Sequence, residues 1–315
     1  MRRVACVAVL TIALASPAAA GTPTIAFTPF AHIQPRVDGI VWTGTRFLYV
    51  ENTTNVIWSA PPAGAPVTKF ATLPRQVEET RCVLSTGTHG FAPGAVFCHA
   101  PDHVLYEVSP SGQVSVFARL PAPDSPSSDG ALAFDTVGGF GHALIAATGR
   151  SGAPTPSGGT VYSIDSAGRV RVVGAYHGPG GADELTVAPR QFGTAGGDVL
   201  LTVDAGNRGG RLVAVSPGGR ARVIAAFPDG PNPIVPIVRA RSARSAFYLT
   251  DDLGHTVFRA PASPLAAFAG DILVGGEASG RLWIVRPHDS AFEVAPVTAT
   301  LREKKHSLEA MIEVP

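Results

Sequence analysis

Six times along the chain an apolar strand runs into a polar or glycine-rich turn and out into a second strand rich in Val, Ile, Tyr or Trp. The six copies are Phe47–Ala60, Ala95–Ser109, Ala143–Asp165, Asp198–Ser216, Ala246–Ala260 and Asp271–Pro287. Apolar runs joined by such turns predict β-hairpins. Two further kinds of strand lie beside them. One follows an acidic residue or a turn: Gly39–Thr43 after Asp38, Val83–Thr86 after Glu78 and Glu79, Ala131–Phe134 after Asp129, Leu185–Val187 after Asp183 and Glu184, Ile234–Val238, and Ala310–Val314 after Glu309. The other ends in an apolar-turn signal: Val67–Leu73, Val114–Leu120, Val170–Tyr176, Ala221–Phe227 and Phe292–Val297, with a spare copy at Ile25–Phe30.

A four-strand unit repeated at roughly 40–50 residues predicts an all-β fold, a six-bladed β-propeller with four antiparallel strands per blade. The acidic-led strands become the inner strands that line the axis. Anchors at their starts, Asp38, Arg81, Asp129 and Asp183, are spaced 43, 48 and 54 residues apart. The widest gap holds the loop Gly149–Gly159. In chain order, Ile234–Val238 and Asp251 fall in a fifth blade. The fifth hairpin lacks a following outer strand and the sixth lacks a preceding inner one. The spare strands at the chain ends supply both, which closes the ring and leaves no free sheet edge. Which end completes which blade stays open. A β-sandwich would not repeat one unit six times, and a β-helix would lack the tight hairpins.

Residues 1–20 read as a signal peptide: Arg2 and Arg3, the apolar run Val4–Ala15, then Ala18, Ala19 and Ala20 as a cleavage site. The mature chain is then one domain, residues 21–315, exported to the periplasm or the extracellular space. Without Arg2 and Arg3, 23 basic residues face 24 acidic ones. That balance offers nothing to nucleic acid or to an anionic membrane, and the chain is read as a monomer. Two cysteines remain after cleavage, Cys82 and Cys98. They sit at equal distances either side of Gly90, which sets them opposite each other in a hairpin. An oxidising compartment lets them form a disulfide; two buried thiols are the alternative.

The leading ends of the inner strands gather Asp38, Glu78, Glu79, Asp129, Asp183, Glu184 and Glu309 from different blades. Converging carboxylates suit Ca²⁺ or another hard divalent cation. The plainer reading is that they cap turns, as Asp-Gly pairs do at Asp38–Gly39 and Asp129–Gly130. Histidines at zinc-ligand spacing on a helix and a GxSxG nucleophile motif are both missing.

The segment FYLTDDLGHTVFRA at Phe247–Ala260 resembles the strand–turn–strand of NHL-repeat propellers, which read ADTGNHxI. It is similar as well to the YYIDS strand of regucalcin/gluconolactonase-like (TolB-like) propellers. RVDGIVW at Arg36–Trp42 resembles the EGPxW that opens the latter family. The lactonase-like resemblance implies that Asp38 is a metal ligand and that Asp251 is both ligand and catalytic base. Ile40 replaces the family's Pro, and Asn232 is followed by Pro233 where the family has Gly. Asp129, Asp183 and Glu309 would then stand in for the family's asparagine ligands. Three functions follow as expectations. The first is a secreted propeller binding a small molecule, an ion or a partner protein at the channel rim. The second is a metal-dependent lactonase or related hydrolase. The third is an extracellular carbohydrate- or peptide-binding scaffold.

Overall fold

The computed structural model describes residues 22–75, 79–100, 103–121, 131–149, 158–205, 209–238, 244–301 and 306–315. The expected leader, Glu78, Asp129 and most of the Gly149–Gly159 loop lie outside these residues.

Six sheets form a ring of blades. Blade 1 is Val37–Trp42, Phe47–Glu51, Val56–Ala60 and Thr68–Thr72, from the axis outward. Blade 2 is Arg81–Leu84, Val96–Ala100, Val104–Val108 and Val114–Arg119. Blade 3 is Ala131–Phe134, Leu144–Ala147, Gly159–Ile164 and Val170–Tyr176. Blade 4 is Gly181–Val187, Val199–Asp204, Gly210–Val215 and Ala221–Phe227. Within each, successive strands pair antiparallel. The second strand of each is almost wholly buried, because a blade packs against neighbours on both faces and both sides of the pleat must be apolar. Leu48 and Val50 join the cluster shared with blade 2, while Phe47 and Tyr49 join the cluster shared with the last blade. Six such clusters fill the six inter-blade spaces.

The last two blades depart from chain order. Pro231–Pro236 is an inner strand, but it pairs with Ile272–Gly276 of the sixth hairpin and not with the fifth hairpin. Blade 5 therefore comprises Pro231–Pro236, Ile272–Gly276, Leu282–His288 and Ala291–Ala299. The fifth hairpin, Ala246–Asp251 with Thr256–Pro261, leaves blade 5 and forms the centre of blade 6. Both chain ends complete that blade: Leu308–Val314 on the inside and Thr28–His32 on the outside. The expectation that Asp251 belongs to a fifth blade is thus corrected; its blade adjoins blade 1. The single N-terminal strand expected at Ile25–Phe30 is two strands. Thr24–Ile25 adds in parallel to the edge of blade 5, and Thr28–His32 runs in blade 6. Ile25 and Phe27 are buried between these two blades, so the segment staples the exchanged pair together.

The disulfide joins Cys82 and Cys98 on paired strands of blade 2. Cys98 is fully buried in the space between blades 1 and 2.

Candidate functional site at the propeller axis

Of the expected acidic residues, Asp38, Asp183, Glu184 and Glu309 sit inside the inner strands, at or beside β-bulges, whereas Glu79 precedes its strand as expected. In blade 1 Val37 pairs with Glu51 and Gly39 with Val50, so Asp38 is the extra residue. In blade 4 Ala182 pairs with Val203 and Glu184 with Thr202, which makes Asp183 the extra one. The register also slips across Asn232 and Pro233 in blade 5 and across Glu309 and Ala310 in blade 6. A bulge breaks the two-residue alternation and re-aims a side chain. Here four bulges put polar side chains where an unbroken strand would carry the apolar alternation onward.

Asp38, Glu184 (the residue after the blade 4 bulge), Asn232 and Glu309 meet around Arg81, the first residue of the inner strand of blade 2. Arg81 Nη1 lies 2.6 Å from Asp38 Oδ2, Nε lies 3.0 Å from Glu184 Oε1, and Nη2 lies 3.3 Å from Glu309 Oε2. Nη2 also donates to Asn232 Oδ1 at 3.4 Å, and Asn232 Nδ2 donates to Glu309 Oε2 at 2.8 Å. Ser307 Oγ donates to the other Glu309 oxygen at 2.6 Å. One guanidinium therefore reaches across the axis and uses all three of its nitrogens on blades 1, 4, 5 and 6. The planar fork of arginine suits this role, whereas an ammonium would offer a single point of charge.

The cluster is strongly desolvated. The Asp38 and Arg81 side chains are 0% and 3% exposed, while Glu184 keeps 15%. Burial pushes the Asp38 carboxyl well above the ordinary range; Glu309 adds to the shift and Arg81 opposes it. Burial likewise pushes Glu184 up to about 7, again against Arg81 and with Glu309. Against burial, the three carboxylates hold Arg81 well above its usual value. Three carboxyl groups and one guanidinium in a dry space carry excess negative charge, which protons relieve.

Asp251 is in a different setting. It is buried, lies 2.9 Å from His306 Nδ1, and accepts the Ser307 backbone N–H at 2.9 Å and the Gly254 N–H at 3.3 Å. These bonds tie the turn of the fifth hairpin to the C-terminal strand. His255 takes a left-handed φ of 49° in that turn, as the sequence suggests for a turn residue. The neighbouring Asp252 accepts from Arg36 Nε at 2.9 Å and Asn52 Nδ2 at 3.2 Å, joining blades 6 and 1. Asp183 accepts the Asp204 backbone N–H at 3.1 Å.

Asp183 and Asp251 do not join Asp38 and Glu309 in one donor set, and Asp129 lies outside the described residues. Among the described residues no three His, Cys, Asp or Glu side chains are gathered to hold a metal. Asp38, Glu184 and Glu309 converge on the axis, but a guanidinium already occupies the point of convergence. Asp251 faces His306 and Ser307. Sequence reasoning used Arg81 only as a spacing mark. A basic residue at an anchor where Asp38, Asp129 and Asp183 are acidic was the signal that it closes the axis.

Below this polar plug the axis widens into a cavity of about 440 Å³. Arg81 and Glu184 stand at its floor. Its walls include Ile40, Val83, Leu132, Phe134, Ile234 and Ile312, and Thr136 and Glu313 lie towards its mouth. Apolar walls with a few polar groups are the ordinary make-up of a small-molecule site.

No family model matches the chain, and no curated protein sequence matches it. Many solved structures are similar to it, the following two among them. The PQQ-bound form of aldose sugar dehydrogenase from Streptomyces coelicolor has a TM-score of 0.57 at 12% identity, over 93% of this chain and 100% of that one. The likeness is one of fold. The extracellular domain of BT4673, described as a one-component system of B. thetaiotaomicron, has a TM-score of 0.43 at 13% identity, over 88% of this chain and 37% of that one.

Proposed function

We propose that this chain is an exported, metal-free binding propeller that takes a small molecule into the open end of its axial channel. The observation that carries the reading is the 440 Å³ cavity, walled by all six inner strands and closed at one end by the Arg81 cluster. Export is supported by the Cys82–Cys98 disulfide, since such bonds persist in oxidising compartments, and by the leader-like first twenty residues. No described helix is long and apolar enough to cross a membrane. The lactonase reading requires a metal on the axis, and the donor set argues for a fixed arginine there. The PQQ in the sugar dehydrogenase structure supplies no argument for PQQ here.

The test uses the neutral fluorescent probe N-phenyl-1-naphthylamine on the mature protein. Saturable binding of one probe per chain is expected. Ala133→Trp, which fills the channel wall, and Thr136→Trp, at the exposed mouth, should each weaken it. Absence of saturable binding, or binding that both variants leave unchanged, would overturn the reading.

A further inference from the structure

We propose that the axial channel selects ligands with an apolar body and a cationic head, the head resting on Glu184. This rests on the channel reading and adds the charge class of the ligand. The walls are mostly hydrocarbon, so the polar groups at the floor and mouth decide orientation. At the floor the two charged groups are Arg81 and Glu184. Arg81 is spent: its three nitrogens face Asp38, Glu184, Glu309 and Asn232, and its side chain is 3% exposed. An anionic head would find no open donor on it and would approach three carboxyl groups.

Glu184 is the member of the cluster that still reaches solvent, at 15% exposure against 0% for Asp38 and 6% for Glu309. Its Oε1 is on Arg81 and the carboxyl also takes the Leu185 backbone N–H, which leaves part of its acceptor capacity to a newcomer. Behind it Asp38 Oδ1 is fully buried and has no hydrogen-bond partner among the described residues. The local balance is therefore short of positive charge. At the mouth Glu313 accepts the Val238 N–H through Oε2 at 2.9 Å, while Oε1 is buried without a hydrogen-bond partner among the described residues. Among the described residues, both ends of the cavity are thus lined by a carboxyl group, and neither presents an unpaired cation. A hydrocarbon chain or ring bearing an ammonium group matches that pattern. Electrostatic complementarity of this kind sets specificity more than it sets raw affinity.

The probes are three molecules of one length: hexylammonium, hexan-1-ol and hexanoate, titrated calorimetrically into the mature protein. Hexylammonium should bind roughly ten-fold more tightly than hexan-1-ol, and hexanoate more weakly than either. Glu184→Gln should bring hexylammonium down to the level of the alcohol. Equal binding of all three, or preference for hexanoate, would overturn the charge assignment while the channel reading stands. A cationic preference that persists in Glu184→Gln would overturn the role of Glu184. Should that variant fail to fold, the ranking of the three probes on the native protein decides the inference alone. If none binds and the neutral naphthylamine also fails, the channel reading itself falls.

Discussion

Glu184 makes the stability of this propeller fall as pH rises through neutrality. Its folded-state carboxyl is pushed from 4.5 up to about 7, by burial first, with Glu309 adding and Arg81 opposing. Between those values the native protein holds a proton that the unfolded chain has lost. The stability this proton confers is complete below the unfolded value and is lost as pH climbs through the folded one. At about 1.4 kcal/mol per pH unit, the gap corresponds to about 3 kcal/mol at most. Asp38 and Asp252 are also raised by burial, and Asp271 is raised to about 6, so these groups slope the same way. Glu184→Gln isolates one contribution, because the amide keeps the shape of the protonated acid and cannot ionise. Urea unfolding of both proteins from about pH 5 to about pH 8 measures it. The native protein should lose stability over that range, and the variant should lose distinctly less. A variant with the same slope, or a native protein that gains stability over the range, would refute the account of the Arg81 cluster as charge-deficient.

Removing the guanidinium should cost far more at neutral pH than at acid pH. Arg81→Met leaves Asp38, Glu184 and Glu309 without their shared partner, a loss of about 3–5 kcal/mol near neutrality, which protonation relieves. Equal urea midpoint shifts at both pH values would contradict it. Deleting Leu308–Pro315 removes the inner strand of blade 6 together with Glu309, so cooperative thermal unfolding should disappear; an unchanged melting temperature would show that this strand does not close the ring. The disulfide spans 16 residues, and replacing both cysteines by Ala should cost about 3 kcal/mol or less. Thiol titration of the unfolded, unreduced mature chain should find no free cysteine, and two free thiols would sink the pairing.

Local patterns in the sequence carried the fold where contacts are local. The six hairpins, the outer strands Val170–Tyr176 and Ala221–Phe227, and the opposition of Cys82 and Cys98 follow from alternation and symmetric turns, and the structure has them at those residues. The exchange between blades 5 and 6 was not legible. Inner strands contact their hairpins through backbone bonds that any apolar sequence can make, so chain order assigned Pro231–Pro236 to the wrong hairpin. The N-terminal strand misled for a related reason. Ile25 and Phe27 bury like one strand with Ala31, yet they serve two sheets. The bulges at Asp38, Asp183, Asn232 and Glu309 escaped notice because an extra residue changes register without changing composition.

The position of Arg81 explains why one end of the axis is polar and closed while the other is apolar and open. Bulges aim acidic side chains inward from blades 1 and 6, and Glu184 follows the bulge of blade 4. Without a cation they would repel, and the ring would gain from opening. A metal ion could supply the charge, but only as long as its concentration allowed, since bound ions stabilise by mass action. A guanidinium on the inner strand of blade 2 is always present and cannot be deprotonated. Neutralisation is thus built into the chain and becomes a condition of folding. With the charges gathered at the closed end, the opposite end is lined mostly with hydrocarbon. An axial cation fixed in this way is consistent with the proposed reading, a channel that holds a ligand at its open end.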